Sequence, residues 1–169
     1  IVPQGRLHIE LDDIGFVMGT TVSERLRTFG GQLFQVKEHF ARLALSLDSL
    51  GIASVELLPR VQAASIDIIA HNIALCGTGS DLGLTVLITP GRSTTNPPTV
   101  LVYSSALPFS EMHSWYSNGI SLQVASYRQV PENCWPSHLK CRSRMHYYLA
   151  DQEARSKQPD ARALLLDQH

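Results

Sequence analysis

Two consecutive glycines, Gly30-Gly31, interrupt the run "GTTVSERLRTFGGQLF" from Gly19 to Phe34. A glycine pair between two strand-like runs marks a β-hairpin, because a tight turn of this kind needs backbone angles that only glycine adopts freely. The chain must therefore build antiparallel sheet near its start. Side chains alternate along a strand. Val22, Glu24, Leu26 and Thr28 fall on one face, and Thr21, Ser23, Arg25, Arg27 and Phe29 on the other. Two arginines two residues apart then project the same way.

Helices follow. In "EHFARLALSLDSLG" (Glu38 to Gly51) Phe40, Leu43, Ala44, Leu47 and Leu50 recur at three- and four-residue steps, and Gly51 is a stop signal. Arg42 lies off that stripe. "PRVQAASIDIIAHNIALCG" (Pro59 to Gly77) reads as a second helix with proline in its first turn. "LGLTVLIT" (Leu82 to Thr89), "TVLVYSS" (Thr99 to Ser105), "GISLQVASY" (Gly119 to Tyr127) and "ARALLLD" (Ala161 to Asp167) read as strands. The segment "GRLHIELDD" (Gly5 to Asp13) has short alternation and ends in a turn signal. "PGRSTTNPP" and "LPFSEMHSWYSNG" read as loops, and "RQVPENCWPSHLK" as irregular chain. A helix after Lys140 is expected to turn Met145, Tyr148, Leu149 and Ala154 inward. Strands and helices mix, so the fold class is α+β or mixed α/β.

With 44% apolar and 17% charged residues, the chain has the composition of an ordinary globular protein and not of a disordered one. Its net charge is −1, with both signs interspersed, so we expect neither a nucleic-acid partner nor a polybasic membrane anchor. No apolar run reaches the length of a membrane span. Cys76, Cys134 and Cys141 are odd in number and lack metal-ligand spacing, which points to a reduced, cytoplasmic protein. We expect no secretory leader, and an incomplete start, since the chain opens on Ile1. His39, His71, His113, His138 and His146 are scattered and are expected to be surface or capped residues rather than metal ligands. Trp115, Trp135 and Cys141 are expected to serve packing.

One lysine stands out. In "PSHLKCRSRMHYYLADQEARSKQPDARALLLD", Lys140 sits at the join between an extended segment and a helix. Most lysines are solvated surface groups. A lysine fixed at such a join can also act as an amine nucleophile and as a proton carrier.

The chain carries two ordered blocks. The first, "DDIGFVMGTTVSERLRTFGGQLFQVKEHFARLALSLDSLG", has an acid, a G-F, a strand with a glutamate, a glycine turn and an H-x-x-R-L helix. The second, "LKCRSRMHYYLADQEA…DARALLLD", has a lysine, a helix ending in E-A and a strand. Together they resemble the fold-type IV, or class IV, aminotransferases, which use pyridoxal 5'-phosphate. The family takes in branched-chain aminotransferases, D-amino-acid aminotransferases and aminodeoxychorismate lyase. The resemblance implies a two-domain fold: an N-terminal α/β small domain over residues 1–113, and at 114–169 the start of a larger C-terminal domain. It implies that Lys140 forms the Schiff base with the cofactor. It implies that Arg42 holds the cofactor phosphate, which a guanidinium fits bidentately. Ser23, Arg25 and Arg27 match strand positions that line the family's substrate pocket. Amino-acid and 2-oxo-acid substrates and a homodimer are implied with them.

Departures from the family pattern shape the expectation further. Ser23 and Arg25 stand where branched-chain aminotransferases usually have an aromatic residue and a glycine. Two guanidiniums there suit a substrate with more than one carboxylate. The Arg-x-His carboxylate trap of D-amino-acid aminotransferases is reduced to Arg92. Aminodeoxychorismate lyases often read K-x-x-N-R after the lysine; here Ser143 replaces the asparagine and Arg144 is kept. That leaves pyruvate-releasing elimination as an alternative to amino transfer. The family's next segment, with the glutamate that pairs with the cofactor's pyridine nitrogen, lies past "LLLDQH". We therefore expect a fragment of a longer protein; the remainder as a separate chain, and a shortened non-catalytic binding relative, are the other readings.

Overall fold

The computed structural model describes residues 1–77, 79–93 and 97–168. The chain divides into two compact units, Ile1–Leu107 with His138–Ser143, and Pro108–Ser137 with Arg144–His169. The division at Leu107 compares with the expected boundary at 113/114, and the short segment bearing Lys140 belongs to the first unit.

The first unit is built on a four-stranded antiparallel sheet. Its strands are β1 (Val22–Phe29), β2 (Gln32–Leu33), β3 (Leu82–Thr89) and β4 (Thr99–Ala106), in the order β2-β1-β3-β4. The Gly30-Gly31 hairpin forms as expected, with Thr28 opposite Leu33 and both glycines at positive φ. Its second strand is only two residues long. Asp81 secures the turn by accepting from Gly31 N–H at 3.0 Å and from the Thr28 hydroxyl at 2.7 Å.

Two helices, α2 (Val36–Ser49) and α3 (Ser54–Cys76), accompany the sheet. Val22 and Leu26 from β1, Leu84, Val86 and Ile88 from β3, and Phe40, Leu43 and Leu47 from α2 form the core with Val61 and Ile69 of α3. Helix α2 ends as its sequence demands. Ile52 N–H bonds the Leu47 carbonyl and Gly51 N–H bonds that of Asp48, with Gly51 at φ 69°. This is a Schellman closure, and its apolar pair Ile52 and Leu47 lies in the core.

The structure corrects several sequence-based expectations. Helix α3 begins at Ser54, so Pro59 lies inside it and not in its first turn. The carbonyl that proline leaves without a donor belongs to Val55, which is 84% exposed, so water can serve it. The alternation over residues 5–13 is not used in a strand, and the expected turn falls at Leu11-Asp12. A 3₁₀ turn covers Gln4–Arg6, and a short helix, α1 (Ile14–Val17), starts where Asp13 accepts from Gly15 N–H at 2.8 Å.

The second unit pairs β5 (Leu122–Arg128) and β6 (Arg162–Leu166) in parallel, joined through α5 (Met145–Lys157). Parallel neighbours need such a crossover. The expected loop before β5 is a helix, α4 (Phe109–Asn118), stopped by Gly119 at φ 72°. Helix α5 buries Ala150 and Ala154, while Met145 and Tyr148 are exposed, contrary to expectation. Small residues let the helix approach the two strands closely. Trp115, expected to pack, is half exposed. Cys76, Cys134 and Cys141 are free thiols. Among the described residues no helix is long and apolar enough to cross a membrane.

Candidate active site

Strand β1 points Glu24 into the face that carries Val22 and Leu26, and leaves the carboxylate 1% exposed. A buried carboxylate is costly unless it is paired. Glu24 has three basic neighbours. Arg42 on α2 donates to it twice, Nε to Oε2 at 2.9 Å and Nη2 to Oε1 at 2.7 Å. His39, one helical turn earlier, places Nδ1 3.4 Å from Oε1. Lys140 places Nζ 3.8 Å from the same oxygen. The Arg25 backbone N–H donates to Oε1 at 3.1 Å. Burial pushes the Glu24 carboxyl up. The Arg42 bonds, the Arg25 N–H and the charges of Arg42 and Lys140 outweigh it and hold the group below its ordinary value. The bond to Glu24 raises Arg42 correspondingly.

Lys140 reaches this cluster because its segment runs along the edge of β1 that β2 leaves uncovered. Ser23 N–H donates to the Lys140 carbonyl at 2.9 Å, and Arg142 N–H to that of Thr21 at 2.7 Å. Val22 and Cys141 form an antiparallel bridge between them. On the helix side, Lys140 N–H donates to Ser46 Oγ at 3.2 Å. His138 Nε2 lies 3.1 Å from Ser49 Oγ. Leu139 packs on the core. The backbone around the lysine is thus tied both to a strand and to a helix, and its side chain stays 25% exposed.

The expected site residues separate. Lys140 and Arg42 meet over Glu24. Ser23, Arg25 and Arg27 occupy the other face of β1, as alternation requires. There Ser23 is buried and Arg25 is exposed. Arg27 stacks over the Phe29 ring at 4.0 Å and donates from Nε to the Thr28 carbonyl at 3.2 Å. Their cross-strand partners on β3 are Leu87, Thr85 and Gly83. Arg92 forks onto Asp12, with Nη2 2.6 Å from Oδ2. Residues 94–96 of its loop lie outside the described residues.

The sequence marks Glu24 only as the strand's glutamate and gives His39 as a surface or capped residue; the structure brings both into the charge cluster, with the His39 side chain 20% exposed. The signal was an acid at an inward position of β1, flanked by Val22 and Leu26. An H-x-x-R spacing sets two basic side chains on one helical face beside it.

The chemistry open to this cluster follows from its charges. Arg42 and Lys140 outnumber Glu24 by one positive charge before His39 is considered. The fork to Glu24 engages Nε and Nη2 of Arg42, whose side chain is 47% exposed, and leaves Nη1 outside. An amine and a guanidinium, both reachable from solvent, suit a ligand with a carbonyl carbon and a phosphate. Among the described residues no group of three or more His, Cys, Asp or Glu could hold a metal ion.

Comparisons with known proteins bear on the family and the fold. Residues 21–169 match the family model of class IV amino-transferases. No curated protein matches the sequence. A hypothetical aminotransferase from Mycobacterium tuberculosis, in its PLP-bound form, superimposes with TM-score 0.82 at 20% identity, over 99% of this chain and 59% of its own. A fold IV transaminase from Curtobacterium pusillum gives 0.75 at 21% identity, over 97% and 57%. A branched-chain amino acid aminotransferase from T.th., complexed with N-(5'-phosphopyridoxyl)-L-glutamate, gives 0.73 at 23%, over 99% and 55%. These likenesses establish the fold, and this chain spans less than two thirds of each of those proteins. With the family match running over most of its length, the chain belongs to the class IV aminotransferases.

Proposed function

We propose that this chain carries the cofactor-anchoring half of a pyridoxal 5'-phosphate-dependent aminotransferase, which moves an amino group between an amino acid and a 2-oxo acid. The observation that carries the reading is the meeting of Lys140 and Arg42 over one buried carboxylate, Glu24, in a chain of this family. When bound, pyridoxal phosphate supplies an aldehyde that accepts the amino group and a ring that withdraws electrons. Arg42 binds its phosphate through the part of the guanidinium that Glu24 does not occupy. Lys140 anchors it covalently through the side-chain amine, and the same amine moves the proton at the substrate Cα. The lysine backbone, fixed by Ser23 and Ser46, keeps that amine at one place. Ser23, Arg25 and Arg27 serve the substrate, with the two guanidiniums taking carboxylates.

The test is reductive trapping. The full-length protein is incubated with pyridoxal phosphate, reduced with borohydride, weighed intact and digested. The expected result is one cofactor-sized mass increment, mapped to Lys140 and absent from Lys140→Ala. A full-length protein that binds no increment at Lys140 overturns the proposal. Product analysis then separates amino transfer, which needs a 2-oxo acid, from elimination, which releases pyruvate without one.

A further inference from the structure

A carboxylate nine-tenths or more buried among cations must either organise them or compete with whatever anion they bind. Glu24 is 1% exposed and touches the two groups assigned above to the cofactor. Its contacts are unequal. It holds Arg42 at both Nε and Nη2, which fixes the plane and direction of the guanidinium. Its Oε1 lies 3.8 Å from Lys140 Nζ, within ion-pair reach but beyond hydrogen-bond distance. Its own orientation comes from the Arg25 backbone N–H and from the strand itself. Arg42, by contrast, is half exposed on a helix surface, where an unsupported arginine samples many rotamers.

From this asymmetry we propose that Glu24 is a positioning residue: it sets the Arg42 guanidinium to receive a phosphate and keeps a counter-charge beside the Lys140 amine. Its proposed action runs through Arg42 and Lys140, the two groups it contacts. His39 completes the arrangement from one turn away, 3.4 Å from both Glu24 Oε1 and Arg42 Nη2. The inference rests on the cofactor reading above and assigns a duty that reading leaves open.

The test compares two probes, pyridoxal 5'-phosphate and pyridoxal, which differ only in the phosphate. Their affinities for the full-length protein are measured by absorbance titration; the change in their ratio from wild type to variant isolates what the residue does for the phosphate, since the internal hemiacetal of free pyridoxal weighs equally in every titration. A general loosening of the fold lowers both affinities together and leaves the ratio alone. Glu24→Gln, which keeps the shape and removes the charge, is expected to lower the ratio about tenfold, the scale of one misdirected charge-assisted bond. Arg42→Lys, which keeps the charge and loses the fork, is expected to do the same. In an Arg42→Lys background, Glu24→Gln is expected to change the ratio no further. Should Glu24→Gln fold poorly, Glu24→Asp, which keeps the charge but draws it back by one methylene, is expected to lower the ratio by a smaller factor.

An unchanged ratio in Glu24→Gln overturns the positioning role. A raised ratio also overturns it, since Glu24 would then be competing with the phosphate. A wild-type protein that does not prefer the phosphorylated probe, or is not trapped at Lys140, overturns the cofactor reading itself and this proposal with it.

Discussion

Replacing Arg42 by alanine removes both hydrogen bonds, at 2.7 and 2.9 Å, to a Glu24 carboxylate that is 1% exposed in the intact protein, and leaves it with weaker partners and the water that enters the vacated space. Breaking a buried ion pair from one side costs about 3–5 kcal/mol. The value here is smaller for two reasons. Arg42 is 47% exposed, so solvent screens part of the attraction. His39, Lys140 and the Arg25 N–H also remain within 3.4, 3.8 and 3.1 Å of Oε1. We therefore expect a loss of about 2 kcal/mol at neutral pH, which moves a urea midpoint by roughly 1 M at an unchanged slope. The pH dependence carries the reasoning. Glu24 has a folded-state pKa below its ordinary 4.5, so its contribution to stability is present above that value and is lost as pH falls through the lower, folded one. In Arg42→Ala the largest opposing influence on burial is gone, so the carboxyl protonates at a higher pH than in the wild type. The gap in stability should therefore be widest near neutrality and close as pH falls toward and below 4.5. Urea titrations of both proteins across that range give the answer. A gap of equal size at both ends would mean that the arginine stabilises through the packing of its stem, and the electrostatic account would be wrong.

Two further outcomes follow from the same contacts. Gly15→Ala would drive a methyl group into the Thr89 side chain and close to Thr21 Oγ1 at 2.8 Å, inside the network where Asp13 meets Thr99. A destabilisation of about 1–3 kcal/mol is expected by thermal melting, and a melting temperature equal to wild type would show that the site yields. Arg25→Ala leaves the Glu24 side of β1 intact, so trapping at Lys140 should persist. The Michaelis constant for a dicarboxylic substrate should rise about tenfold or more while that for a monocarboxylic one changes little, and equal changes in both would remove Arg25 from substrate recognition.

Where local pattern decides the structure, the sequence was readable. Strand β1 alternates, so its two faces could be written down: Val22, Glu24, Leu26 and Thr28 are all buried, while on the other face Ser23 is buried as well and Arg25, Arg27 and Phe29 are not. Helix α2 has a regular stripe and a glycine stop, and its ends shift by only two residues. Helix α4 has Phe109, Met112, Trp115 and Tyr116 at three- and four-residue steps, a period the loop reading passed over because the segment is short and rich in polar residues; none of these residues is buried. Pro59 misled because proline favours a first turn, yet five residues precede it in α3 and the carbonyl it strands faces water. For the site, motif resemblance points to Arg42 and Lys140 and gives Glu24 no role beyond that of the strand's glutamate. Nothing local shows that a lysine near the end of the chain comes to lie beside a strand near its start, and only that contact turns an inward glutamate into the hub of a charge cluster.

The same contact bears on the order in which the molecule acquires its shape. The edge of β1 at Thr21 and Ser23 is closed by the segment holding Lys140 and Arg142. Sheet β1–β3–β4 and helices α2 and α3 all lie upstream of that segment and can form from chain already made. Closing so long a loop carries an entropic cost and no intermediate reward, which places it late among folding events. On that order, a chain not yet made past residue 139 is expected to pair Glu24 with Arg42 while one strand edge stays bare and no lysine lies beside them. A nascent chain halted before residue 140 should be compact and incapable of covalent capture, so that competence arrives as a final seam and not as a gradual gain.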